Sequence, residues 1–212
     1  MCVYVCFGLC CCVVISLAYQ LTYAHYVPPR IYYLAIYTIS KVVALQAPVS
    51  DRESLSMTPG DHSTHLSHAR SLLAEKKENE MMPRSAFWAP ITAKRYISLF
   101  DMNGDDDFFS SDLSEDELID RLGHVGSIGR ESGLRLLAAF SSKDEYVPDF
   151  VEKDVLLKRL VSAMNNNNNN HNDETNVAEG LMLSNANHNL SDGEESRQQF
   201  VDAVGNLMMK LN

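Results

Sequence analysis

The chain has 212 residues, a formal net charge of −10 and a pI of about 5.1. This length is sufficient for one domain with a sizeable hydrophobic core. The acidic balance and the absence of any cluster of Lys and Arg in the sequence exclude a nucleic-acid-binding protein, because phosphate contacts need grouped basic side chains.

The first 41 residues form a hydrophobic, Cys-rich leader. Residues 2–24 carry no charged side chain, a length compatible with a membrane-spanning helix, yet the first basic residue is Arg30. Three interpretations remain open: a signal anchor that attaches the protein to a membrane through residues 2–24, a cleaved signal peptide, and sequence from a misassigned start or a retained intron. All five cysteines lie here, at positions 2, 6, 10, 11 and 12. They lack the paired spacing of a zinc site, so we expect neither a metal nor a cofactor.

From Val42 onwards the sequence alternates strand and helix patterns. The apolar run 42–46, closed by Pro48, is typical of a buried parallel strand. Ser50 and Asp51 then predict a helix that begins near Arg52. Further helices are predicted over residues 63–80, 91–100 and 114–122, the last with a capping box between Ser114 and Glu117.

The second half begins with the clearest strand, residues 134–140, which is nearly all apolar. Pro148 and Asp149 predict the start of a helix that runs to about Met164. We expect residues 165–178 to be a disordered, Asn-rich insertion, followed by a third strand at 180–183. The apolar face of the helix to Met164 is predicted from Val151, Val155, Leu156 and Leu160. A last helix over 193–211 would bury Phe200, Val204, Leu207 and Leu211.

This order of elements predicts an α/β fold with a parallel sheet and helices packed on it. In such sheets the functional groups follow the C-terminal ends of the strands. Asp144 follows the strand at 134–140, and His188 follows the strand at 180–183. A carboxylate on one loop can orient an imidazole on the next and fix its tautomer for general-base work. We therefore predict Asp144 and His188 as catalytic residues, although an isolated Asp or His after a strand is also commonly structural.

Four stretches of the sequence resemble an esterase-like α/β-hydrolase family found in fungi, plants and protists. They are residues 45–53 (LQAPVSDRE), 89–93 (APITA), 104–113 (GDDDFFSSDL) and 143–148 (KDEYVP). The resemblance covers residues 42–211 and implies the last three strands, cap helices and C-terminal helix of a hydrolase sheet. It implies that Asp144 is the triad acid and His188 the triad histidine, and that residues 81–125 form a cap. If the full-length protein is active, we expect a small acyl compound or ester as its substrate.

The sequence departs from the family before Val42. Family members have about five further strands, an oxyanion-hole loop and a Gly-x-Ser-x-Gly nucleophile elbow in front of the Gln-Ala-Pro strand. The leader stands in their place, so we favour a spurious leader and a truncated, C-terminal half of a hydrolase that is inactive alone. We also favour a cytoplasmic location.

Two alternatives remain. One is an active esterase with an unrecognised serine, for which Ser127 and Ser63 are the candidates. Both lie near glycines, but neither follows an apolar strand, which the nucleophile elbow requires. The other is a membrane-anchored, non-catalytic interaction protein.

The acidic residues between Asp101 and Asp112 resemble a calcium loop, but Asp replaces the Gly and the Glu that such a loop needs, so we interpret them as a solvated acidic loop.

Overall fold

A computed structural model describes the backbone of residues 2–5 and 13–16, and residues 41–102, 104–166 and 176–211 in full. In the leader, β1 (Cys2–Val5) and β2 (Val13–Ser16) form an antiparallel pair. Within the described ranges no helix is long and apolar enough to cross a membrane. The described part of residues 2–24 thus contains strands rather than the helix considered from the sequence. Residues 6–12 and 17–40, with the other four cysteines, lie outside the described residues.

The central element is a parallel three-stranded sheet in the order β3–β4–β5. It consists of β3 (Val42–Gln46), β4 (Arg135–Ser141) and β5 (Ala178–Leu183). Every side chain of β3 is buried, as is nearly every side chain of β4, in agreement with their continuous apolar composition. The predicted parallel sheet is confirmed, and its strand bounds shift by at most two residues from the apolar runs.

Seven helices accompany the sheet in the described ranges. They are α1 (Asp51–Leu55), α2 (His62–Ala74), α3 (Ala93–Phe100), α4 (Glu115–Leu122), α5 (His124–Ser132), α6 (Lys153–Met164) and α7 (Glu194–Met209). The helix predicted over residues 63–80 therefore ends earlier, at Ala74. Helix α5 was not predicted, because Gly126 and Gly129 lower its intrinsic helix propensity. Gly129 is needed for packing, since a Cβ there would lie 2.2 Å from Cγ1 of Val177.

The chain divides into two compact units. One comprises residues 1–48, 111–145 and 149–212 and contains the sheet, and the other comprises residues 49–110 and 146–148. The region that we expect to form a cap, residues 81–125, is divided between them. Both predicted catalytic residues belong to the sheet unit.

Helix α7 covers one face of the sheet. Alternate strand residues supply that face because successive side chains of a strand point to opposite sides. The buried cluster contains Val42, Ala44, Leu137, Ala139 and Leu183 from the strands and Phe200, Val204 and Leu207 from α7. Leu211 was also predicted on this face, and that prediction is wrong: it follows the last residue of α7 and is 38% exposed.

Helix α6 approaches the strand β5 at Gly180, where an added Cβ would lie 3.2 Å from Cγ of Leu157. The helix begins at Lys153 rather than at Asp149, and its buried face includes Leu156 and Leu160 as predicted. Val155 was assigned to the same face, but its side chain is 53% exposed. The buried face uses Leu157 in its place.

The predicted Asn-rich insertion needs a correction at both ends. Asn165 caps α6, and its side chain bonds to the chain that enters β5: Oδ1 accepts from the N–H groups of Val177 and Ala178 at 2.8 Å, and Nδ2 donates to the carbonyl of Ala178 at 2.9 Å. Ala178 itself begins β5. Residues 167–175 lie outside the described residues. Asn165 is therefore a structural residue that joins the end of α6 to the start of β5.

The capping box of α4 is present as predicted. The Ser114 hydroxyl accepts from the N–H of Glu117 at 3.3 Å, and the Glu117 carboxylate accepts from the N–H of Ser114 at 2.8 Å. The bonds from the Ser114 side chain and main chain lower the pKa of Glu117. A lowered folded-state pKa stabilises the fold above the ordinary Glu pKa of about 4.3, and this contribution is lost as the pH falls through the folded value.

We expect Ser114→Ala to lower the free energy of unfolding by about 1 kcal/mol at pH 7, since Ala cannot accept at the N-cap. The difference from the unsubstituted chain should shrink as the pH falls through the lowered folded-state pKa of Glu117, where its carboxylate becomes protonated. Urea unfolding at pH 7 and pH 3.5 measures both effects. An equal loss at the two pH values would show that the carboxylate does not take part in the cap.

The second unit pairs its acidic loop with arginines. Asp107 bonds to Nε of Arg52 at 2.9 Å, Asp106 pairs with Arg95, and Asp101 pairs with Arg70. The Arg70 bond lowers the pKa of Asp101. These ion pairs engage Asp101 and Asp107, two of the carboxylates at ligand positions of the calcium-like pattern, and Asp106, which replaces its Gly. Asn103 lies outside the described residues.

Tyr96 is the largest fully buried side chain of the second unit, and its ring packs 4.8 Å from that of Phe100. Its hydroxyl has no hydrogen-bond partner within the described ranges. Burial raises the pKa of Tyr96. Because the folded value lies above the unfolded value of about 10, stability that is present at lower pH is lost as the pH rises through that range.

Tyr96→Phe is therefore expected to increase the free energy of unfolding by about 1 kcal/mol, since it keeps the ring and removes a buried hydroxyl without a partner. The gain should grow above about pH 10, where ionisation of Tyr96 favours the unfolded chain. Thermal unfolding at pH 7 and pH 10.5 checks both points. A destabilised Phe variant would mean that the hydroxyl is satisfied in solution.

Candidate active site

Asp144 and His188 lie on adjacent loops at the same end of the sheet. Ser141 and Leu183, the last residues of β4 and β5, stand opposite each other in the parallel ladder. Asp144 and His188 follow these two strand ends, and their side chains are almost completely buried. The structure thus brings the two predicted residues together through the register of two parallel strands.

The contact between them is a pair of hydrogen bonds. Nδ1 of His188 lies 2.9 Å from Oδ2 and 3.1 Å from Oδ1 of Asp144. An ionised carboxylate only accepts hydrogen bonds, so Nδ1 must carry the proton. In a neutral imidazole the proton on one nitrogen leaves a lone pair on the other. The arrangement therefore favours the tautomer in which Nε2 of His188 can accept a proton.

Main-chain bonds fix the spacing of the two loops. The N–H of Ser142 donates to the carbonyl of Leu183 at 3.0 Å, and the N–H of Lys143 donates to the carbonyl of Ala186 at 2.9 Å. These bonds extend the pairing of β4 and β5 beyond the strands. Lys153, at the start of α6, donates from Nζ to the carbonyls of Ser142 and Asp144 at 3.1 and 3.2 Å. The loop that carries Asp144 is therefore held by main-chain bonds to the end of β5 and the loop after it, and by the Lys153 side chain of α6.

Two further residues that the sequence did not indicate contact the main chain of His188. Nε2 of Gln46, the last residue of β3, donates to the His188 carbonyl at 2.6 Å. The carboxylate of Glu145 accepts from the His188 N–H at 2.9 Å. The rule that placed Asp144 and His188 after the ends of β4 and β5 also applies at Gln46, the last residue of β3. Gln46 had no assigned role because an amide is not itself an acid or a base.

Left-handed backbone conformations occur next to these residues. Ala47, directly after β3, has a φ of 51°, and Asn185 and Leu190, on either side of His188, have φ values of 54° and 53°. Such values are uncommon for residues other than glycine and are retained where the surrounding structure imposes them. The turns on which Gln46 and His188 depend are thus strained.

Neither candidate nucleophile stands at a strand-to-helix turn. Ser127 lies inside α5, which follows α4, and Ser63 lies in the first turn of α2, where its hydroxyl donates to Asp61 at 3.0 Å. The strain that exposes a nucleophile at an elbow comes from a strand that ends directly before it. Neither serine has that local geometry.

Three curated proteins are similar to this chain. A UPF0613 protein of Schizosaccharomyces pombe is 37% identical over 123 residues, which is 54% of this chain and 39% of that protein. A fusarinine C esterase of Aspergillus fumigatus is 29% identical over 191 residues, or 76% of this chain and 52% of the esterase. An esterase of Emericella nidulans is 30% identical over 145 residues, or 54% and 38% of the two chains. The chain thus spans about two fifths to one half of these relatives.

One solved structure supports the fold. The siderophore hydrolase EstB from Aspergillus fumigatus matches with a TM-score of 0.61 and 29% identity, over 79% of this chain and 56% of that chain. This agrees with the partial α/β-hydrolase sheet and the esterase-like family expected from the motifs. A family model matches residues 25–210, and the chain therefore belongs to the family described as "Protein of unknown function (DUF1749)".

Proposed function

We propose that this chain carries the acid and the base of a serine-esterase centre, in which Asp144 orients His188 and His188 transfers the proton. The observation that supports this most directly is the buried contact of 2.9 Å between Nδ1 of His188 and Oδ2 of Asp144. The esterase and hydrolase relatives supply the reaction class.

The chemistry follows from the proposed tautomer. Nε2 of His188 removes the proton from a serine hydroxyl while the serine oxygen attacks the ester carbonyl. The imidazolium then returns that proton to the departing alkoxide, and the acyl group stays on the serine. In the second half, His188 removes a proton from water while the water oxygen attacks the acyl carbon. The imidazolium then returns this proton to the serine oxygen, and the carboxylic acid is released. Asp144 stabilises the imidazolium in each half, and main-chain amides stabilise the oxyanion.

We propose a small ester as the substrate. The names of two similar proteins, a fusarinine C esterase and a siderophore hydrolase, make siderophore esters the first compounds to assay.

We further propose that these 212 residues do not form an acyl-enzyme by themselves, because neither Ser63 nor Ser127 has the geometry of an elbow. The alternative is a self-contained esterase with a serine that the elbow pattern does not reveal.

A fluorophosphonate probe followed by intact-mass spectrometry tests this proposal, with an established serine hydrolase as a positive control. We expect no labelled serine in the purified chain. Labelling that disappears in His188→Gln would establish the self-contained esterase and retain His188 as its base. Labelling that persists in His188→Gln would contradict the proposed role of His188.

A further inference from the structure

We propose that Gln46 and Glu145 are positioning residues that hold the main chain of His188, so that its ring stays in contact with Asp144 and keeps the lone pair on Nε2. The inference rests on the proposed function of His188 as the general base. It adds two side chains that act through His188.

The geometry around His188 supports this role. Its carbonyl accepts from Gln46, its N–H donates to Glu145, and its ring nitrogen Nδ1 lies 2.9 Å from Oδ2 of Asp144. These side chains come from two different strand ends, since Gln46 ends β3 whereas Asp144 and Glu145 follow β4. A residue held at both main-chain groups and at its ring has little freedom to rotate away from its acid.

Gln46 is suited to its contact by its chemistry. A main-chain carbonyl needs a donor, and the amide of Gln supplies one from a buried position. Ala47, which immediately follows, has a left-handed backbone, and its N–H donates to the carbonyl of Ala139 in β4 at 2.8 Å. Met has a similar volume but no donor, so Gln46→Met removes the hydrogen bond and keeps the packing.

Glu145 makes the complementary contact. Its carboxylate accepts from the His188 N–H. A Gln side chain has the same length as Glu, and its amide oxygen is also an acceptor. Glu145→Gln should therefore preserve the bond, whereas Glu145→Ala should remove it. Glu145 is an exposed residue, so neither change disturbs the core.

The strain on either side of His188 explains why such bonds are needed. Asn185 and Leu190 both have left-handed backbone conformations. They lie three residues before and two residues after His188 in the chain. A strained loop relaxes when the contacts that impose it are removed. Loss of either main-chain bond should thus let the His188 ring move relative to Asp144.

Nitrogen-15 NMR of the imidazole rings tests the proposal in the full chain, because ring shifts report which nitrogen carries the proton. His188→Gln identifies the His188 signals. In Gln46→Met and Glu145→Ala, the ratio of the Nδ1–H to the Nε2–H tautomer of His188 should fall about two- to tenfold, the effect of losing one hydrogen bond. Glu145→Gln should restore the ratio.

Glu152→Ala is the matched control, since it removes an exposed carboxylate later in the same connection between β4 and α6, whereas the His188 N–H bonds to Glu145. It should leave the ratio unchanged. A folded Gln46→Met or Glu145→Ala variant with the unsubstituted ratio would overturn the positioning role. A purely structural role would lower the melting temperature of these variants without moving the ratio.

The tautomer ratio can be measured in a chain without a nucleophile. The positioning role and the proposed function can therefore be refuted independently of each other. Serine labelling that does not depend on His188 would refute the proposed function and leave the ratio to test positioning. An unchanged ratio with an intact Asp144–His188 contact would refute positioning and leave the acid–base pair standing.

Discussion

Removing the Asp144 carboxylate is expected to abolish the energetic coupling between the side chains of Asp144 and His188. The two side chains are buried and joined by a hydrogen bond of 2.9 Å between Nδ1 and Oδ2. A double-mutant cycle with Asp144→Ala, His188→Ala and the double variant should give a coupling energy of about 1.5–3 kcal/mol, the range for hydrogen bonds to charged groups. Urea unfolding measures each free energy.

The catalytic consequence of losing this contact should be larger than its effect on stability. Asp144→Asn keeps the volume of the side chain but can present a donor to Nδ1, which favours the tautomer with the proton on Nε2. That tautomer cannot accept a proton from serine. In a complete triad, the wrong tautomer costs roughly 10⁴ in kcat.

Asp149→Asn provides the control for the Asp144 variants, since this carboxylate is exposed and lies in the same loop. It should change the free energy of unfolding by no more than about 0.5 kcal/mol. A coupling energy near zero between Asp144 and His188 would mean that their contact is not maintained in solution.

Asn165→Ala is expected to be the most destabilising polar substitution in the sheet unit. The side chain of Asn165 accepts from two main-chain N–H groups, those of Val177 and Ala178, and both residues are buried. Without the acceptor, each group loses its partner in the interior at a cost of about 1–3 kcal/mol. Urea unfolding of the variant should show a correspondingly lower midpoint.

Asn166→Ala is the matched control, because the main-chain bonds of Asn166 to Arg130 and Ala163 are kept by the substitution. We expect a change within about 0.5 kcal/mol. Asn165→Asp retains the acceptor oxygens and loses the donor to Ala178, so its effect should be intermediate. Equal costs for Asn165→Ala and Asn166→Ala would contradict the structural role of Asn165.

The sheet was predictable from the sequence because its signals are local. Continuous apolar runs identify β3, β4 and β5, and the rule on strand ends then brings Asp144 and His188 together. Helix α5 was not predictable in this way, because Gly129 is required by the close approach of Val177, which is distant in sequence. Val155 was misplaced because Val151 precedes the helix, which begins at Lys153, so these two residues do not form an i, i+4 pair on one helical face.

The supporting residues of the site were harder to predict than the pair itself. Gln46 and Glu145 act on the main chain of His188, and a contact of this kind leaves no motif at either residue. Asn165 was assigned to a disordered tract because its five neighbours are also Asn, whereas its role depends on the position at which β5 begins. Composition alone cannot separate the first residue of such a tract from the others.

The tautomer of His188 in the unsubstituted chain tests the central claim most directly. The nitrogen-15 spectrum at a pH where the ring is neutral should show the proton on Nδ1, donated to Asp144, and a lone pair on Nε2. A proton found on Nε2 would leave that nitrogen unable to activate a serine, and it would contradict the assignment of Asp144 and His188 as the acid and base of an esterase.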